Sequence, residues 1–118
     1  MSDDRTDRNS YAPFILMDRG GHRSLLLAEP GMEAKQHLFA EREGAGWSGN
    51  GHDWGALAQA VVAERLPQLQ GRLRFDPEAG MLSVGGERAD LEALGTALRA
   101  LYRDDDALRD LLARTELD

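Results

Sequence analysis

The chain has 118 residues, a 42% hydrophobic fraction, a formal net charge of −7 and no cysteine. That length accommodates one core, the missing thiols exclude disulfides, thiolate metal centres and thiol nucleophiles, and the negative charge opposes general binding to phosphate backbones. No run approaches the roughly 20 apolar residues of a membrane-spanning helix, so the sequence reads as a cytoplasmic protein with neither a nucleic-acid nor a membrane partner.

Residues 1–10 carry no large apolar side chain after Met1 and read as a disordered tail; 11–118 read as a single domain. Phe14-Ile15-Leu16-Met17 has strand length and runs into the turn-forming Asp18-Arg19-Gly20-Gly21, and Ser24 to Ala28 supplies the returning strand of a hairpin. Glu29-Pro30-Gly31 ends it. The stretch 32–43 is ambiguous. Met32 to Gln36 favours helix, whereas His37-Leu38-Phe39-Ala40 favours a strand over 36–42, which is the reading adopted.

Four glycines between Gly44 and Gly51 read as a loop carrying Trp47. Asp53 is the expected cap of a helix whose Trp54, Leu57, Ala58, Val61 and Leu66 share one face, ended at Pro67. Leu73 and Phe75 alternate with Arg72 and Arg74 as in a half-buried strand. Asp76 to Gly80 reads as a turn, Met81 to Val84 as its partner strand, and Gly85-Gly86 as the close. Two helices follow, striped by Leu91, Leu94, Leu98 and Leu101 and by Leu108, Leu111 and Leu112, with Asp104-Asp105-Asp106 between them.

The order β-β-(β)-α-β-β-α-α lacks the regular strand-helix alternation of a parallel sheet. The expected fold is α+β, a mostly antiparallel sheet of four to five strands with helices packed on one face.

Chemistry is sparse. His52-Asp53 is an acid-base pair on paper, yet a carboxylate at a helix start is more often a cap. His22, His37 and His52 lack ligand spacing, so no metal is expected. Gly49-Asn50-Gly51 resembles an anion cradle, but no lysine or arginine follows in the loop and Asp53 opposes an anion. Ser48 is the nearest thing to a nucleophile beside His52, and serine in such a loop is usually a turn former. No catalytic residue and no cofactor is assigned. Trp54 falls on the apolar helix face, whereas Trp47 on the loop is the candidate exposed anchor for a protein partner. One of the three aspartates 104–106 is expected to cap the last helix, and the others offer a negative patch.

Glu41-Arg42-Glu43, Gly49-Asn50-Gly51-His52-Asp53-Trp54, Leu57-Ala58, Leu66-Pro67, Phe75-Asp76-Pro77-Glu78-Ala79-Gly80-Met81 and the segment from Asp104 to Leu117 together resemble the immunity protein 51 family of bacterial polymorphic toxin systems, over about residues 12–117. His52 stands where the family pattern leads one to expect an aromatic. The resemblance implies an α+β domain that binds and blocks a cognate toxin by direct contact, without catalysis or cofactor. The acidic charge points to a basic toxin. Trp47, Asn50, His52, Glu41, Glu43, Asp104 and Asp105 are the candidate toxin-binding residues, on a monomer or weak homodimer. A small acidic secretion chaperone holding an extended effector segment is the competing reading.

Overall fold

Two hairpins with short turns organise the sheet. The computed structural model describes residues 5–116. β2 (Ile15–Arg19) and β3 (His22–Ala28) pair antiparallel with Arg19 opposite His22. Gly20 and Gly21 close that hairpin at φ 57° and 92°, a two-residue turn that suits the strand twist and that a side chain would strain. β4 (Arg74–Glu78) and β5 (Met81–Gly85) pair with Glu78 opposite Met81. The hairpins join through β3 and β5, where Leu25 faces Val84 and Leu27 faces Leu82. With β1 (Arg5–Asp7) against β2, the spatial order is β1-β2-β3-β5-β4, antiparallel throughout. The expected α+β class with an antiparallel sheet is thus observed.

Three local expectations are corrected. The strand expected over 36–42 is helix: α1 (Glu29–Glu33) and α2 (Gln36–Ala40) follow β3 directly, burying Met32, Leu38 and Phe39. Leu38 and Phe39 are adjacent and both buried, a pattern that a strand with one solvated face cannot give. The tail expected over 1–10 is partly structured. Arg5–Asp7 pair with Leu16–Asp18, and the Asp7 carboxylate accepts the N–H groups of Asn9 and Ser10 at 3.0 and 2.9 Å. Main-chain pairing orders this segment without apolar side chains; residues 1–4 of the expected tail lie outside the described residues. The turn expected over 76–80 is only Ala79-Gly80, because β4 continues through Pro77, which an edge strand tolerates.

α3 (Gly51–Arg65) lies across β4 and β5, and α4 (Arg88–Tyr102) across β2 and β3. α5 (Asp105–Arg114) packs on α4 and α2. The leucine stripes of α4 and α5 are buried as their spacing requires. α3 buries more than one stripe, including Trp54, Leu57, Ala58, Val61 and Val62, because it is enclosed by β4 and β5, α1 and α4. Trp54 is the hub of an aromatic cluster, its ring 6.3, 5.4 and 5.8 Å from Phe14, Phe39 and Tyr102. No helix among the described residues is long and apolar enough to cross a membrane.

The start of α3 is seated on the β4–β5 turn. The Gly51 N–H donates to the Ala79 carbonyl at 3.1 Å, and a Cβ at Gly51 would stand 1.9 Å from the Glu78 carbonyl oxygen. Gly51→Ala is therefore expected to destabilise the domain by about 3 kcal/mol or more in chemical denaturation, since backbone rather than a flexible side chain must move. Gly44→Ala, where the space is open, is expected to stay within about 0.5 kcal/mol.

Candidate functional site

The glycine-rich loop that the sequence marks out is held by one carboxylate. Asn50 caps α3, its Oδ1 accepting the Asp53 N–H at 3.0 Å. Asp53, three residues on, reaches back, and its Oδ2 accepts the N–H groups of Ser48 and Gly49 at 2.6 and 2.8 Å. This reciprocal pair is an extended capping box, so the expectation that Asp53 itself is the cap is corrected by one turn's geometry. The Ser48 hydroxyl lies 3.3 Å from the same oxygen, and the Gln36 side-chain amide donates to the Ser48 carbonyl. Asp53 is buried while His52 is exposed. Oδ2 is engaged by two amides and a hydroxyl, which makes Asp53 a structural anchor.

Trp47 is not the exposed anchor expected of it. It is 3% exposed, its ring 6.0 Å from that of Phe39. Gly46 at φ 97° ends the short helical turn Glu43–Ala45 and turns the chain into the core there, and a large apolar ring follows the burial available to it. The remaining candidates divide into two groups. Asn50 lines a cleft of about 410 Å³ with Glu29, Glu33 and Gln36. His52 lines another of about 630 Å³ with Gly46, Gln59 and Pro77.

Glu41, Glu43, Asp104 and Asp105 belong to the outer surface of the helical layer. Asp104 caps α5, accepting the Ala107 N–H at 3.1 Å, as expected for one of the three aspartates. Glu41 is bound by Arg109 at 3.1 Å, and Arg109 also reaches Asp106 at 3.4 Å. Lys35 meets Asp105 at 2.7 Å while its Nζ lies 4.7 Å from the centre of the Tyr102 ring. Arg114 ties α5 to α3 through Glu64 at 2.7 Å and also engages Asp110. Glu43 is exposed. The surface is a lattice of ion pairs with carboxylates in excess. The Asp106–Arg109 and Asp110–Arg114 spacings in the sequence hint at the cations Arg109 and Arg114, but their partners Glu41, at the end of α2, and Glu64, on α3, and the pairing of Lys35, at the start of α2, with Asp105 are set only by packing.

Among the described residues no group of histidine, aspartate and glutamate side chains has the arrangement of a metal site. The arrangement defines a class: a small α+β domain whose most distinctive residues build its own loop and whose outer helical surface is charged and accessible. The chain belongs to the immunity protein 51 family, whose model matches residues 14–117. The family makes it an immunity protein, with a toxin protein as its partner. No curated protein and no solved structure matches the chain.

Two expectations follow for stability. Trp47→Ala is expected to cost about 3–5 kcal/mol in chemical denaturation, the penalty of a buried ring removed, in place of the selective loss of binding that an exposed anchor would give. Ion pairing with Arg114 holds the Glu64 carboxyl below its ordinary value of 4.5, and the Lys35 hydrogen bond holds Asp105 below 3.8. Both contributions are complete above those ordinary values and are lost as the pH falls through the depressed folded values. The thermal midpoint is thus expected to fall on acidification below about pH 4.5, with a shallower fall for Glu64→Gln; equal slopes would remove that pair from the acid response.

Proposed function

We propose that the protein neutralises a cognate polymorphic toxin in the cytoplasm by direct contact through the outer surface of α2, the Glu43 turn and α5. The observation that carries this reading is the family match over nearly the whole chain, joined to a surface on which Glu41, Glu43, Asp105, Asp106 and Asp110 outnumber their cations. Asp106 and Asp110 have side chains 96% and 75% exposed, so they are available to a basic toxin. Their field steers association, and the pairs with Arg109 and Lys35 hold Glu41 and Asp105 in place before binding. The toxin would be stopped by obstruction of its cleft or by immobilisation of a moving part.

The test begins with capture of the toxic domain by tagged protein from the native cell, followed by co-expression of that domain with wild type or with the double variant Glu43→Lys, Asp106→Lys. Wild type is expected to rescue growth. The variant is expected to stay folded with a thermal midpoint lower by a few degrees at most, to bind at least about tenfold more weakly at low salt and to rescue poorly. Equal affinity and rescue would place the toxin on another surface. Selective capture of an unfolded export segment would replace immunity with the chaperone reading.

A further inference from the structure

The sheet face turned away from the helices is open, and its side chains fall into four rows. The row that crosses its middle is Ile15, Leu26, Ser83 and Asp76; one flanking row is Thr6, Met17, Ser24, Gly85 and Arg74, with Arg19 and His22 forming a short row beyond it; the other flanking row is Ala28, Met81 and Glu78. Ile15, Met17 and Leu26 are half-buried, whereas Met81, at 40%, is the one exposed large hydrophobic residue among those described. Arg74 lies flat over Gly85, where a Cβ would stand 2.6 Å from its guanidinium. Among the described residues it has no ion-pair partner.

The face is bipolar along the strand direction. Arg74 and the nearby Arg19 and His22 make one end basic, while Glu78 makes the other acidic. A uniformly basic partner matches only half of such a surface. A second copy of the same chain, turned by 180° about an axis perpendicular to the strands and lying between the faces, sets Arg74 against Glu78 twice. We propose that this open face is the interface of a two-fold homodimer, with the central row on the axis.

In that arrangement Ile15 and Leu26 meet their own counterparts. Met81 of one copy faces the row of Ser24 and Gly85 of the other, and Arg74 faces Glu78 of the second copy. The two Asp76 carboxylates fall on the axis at the solvent edge, each side flanked by an Arg74. Twisted sheets pack in this aligned manner at about 10 Å, and a two-fold interface uses one patch twice. From the strand spacing and rise the face measures roughly 20 by 17 Å, so the pair would bury about 700 Å², in the range of weak, transient interfaces. The association is accordingly concentration-dependent, with dissociation in the micromolar range.

The test is sedimentation equilibrium of the full chain from about 1 to 500 µM, a range chosen to bracket that dissociation constant. Wild type is expected to dimerise and Leu26→Glu to weaken dimerisation at least about tenfold. Arg74→Glu and Glu78→Arg, both at exposed positions, are each expected to weaken it with thermal midpoints preserved. An equimolar mixture of those two single variants is expected to form heterodimers, and the double variant is expected to recover the homodimer. Wild type that stays monomeric across the range, or a dimer indifferent to these charge exchanges, would overturn the proposal. These readouts use no toxin, so they stand apart from the test of immunity.

Discussion

The seating of α3 on the β4–β5 turn is the constraint on which the other elements depend. One backbone hydrogen bond from Gly51 to Ala79 fixes where the central helix begins, and the absence of a side chain at Gly51 lets helix and turn approach to backbone contact. Gly55, one turn on, would put a Cβ 3.3 Å from the Pro77 ring, so the same closeness continues along the helix. Once α3 is placed, Trp54 lies at the centre of the aromatic cluster, and α4 has both a sheet and a helix to cover.

The residues most eye-catching in the sequence thereby acquire an architectural explanation. The strings around Gly49 to Trp54 and Phe75 to Met81 are far apart in the chain, yet they are the two halves of one contact. Asp53 holds the loop leading into that contact, and Gln36 on α2 holds the Ser48 carbonyl from outside. The charged residues flanking α2 and on α5 stand apart from this arrangement and are constrained mainly by one another.

Legibility in the sequence followed the strength of local patterning. The hairpin at Gly20-Gly21 and the leucine stripes of α4 and α5 were readable because turn chemistry and helical spacing are local properties. The segment 36–42 was misread because Leu38-Phe39 offers strand-like residues over too short a window for periodicity to decide, and burial of both neighbours is a tertiary fact. β1 was missed since its order comes from hydrogen bonds to β2, which leave no mark in side-chain composition. Trp47 was misassigned for a related reason: a glycine-rich loop suggests exposure, whereas Gly46 turns this one inward. Of the candidate surface, Asp104 as a cap was legible from its position before a helix. The pairings of Glu41 with Arg109 and of Asp105 with Lys35 span 68 and 70 residues and exist only once the helices are packed.

The two borders of the sheet are unlike its open face. Among the described residues β1 offers three residues of ladder, and β4 carries Pro77, whose nitrogen has no proton to donate. Such borders are poor templates for main-chain addition of a further strand. The fold is therefore guarded against runaway edge-to-edge polymerisation at high concentration. Recognition is left to side chains, and these can be exchanged one at a time without disturbing the ladder that holds the domain together.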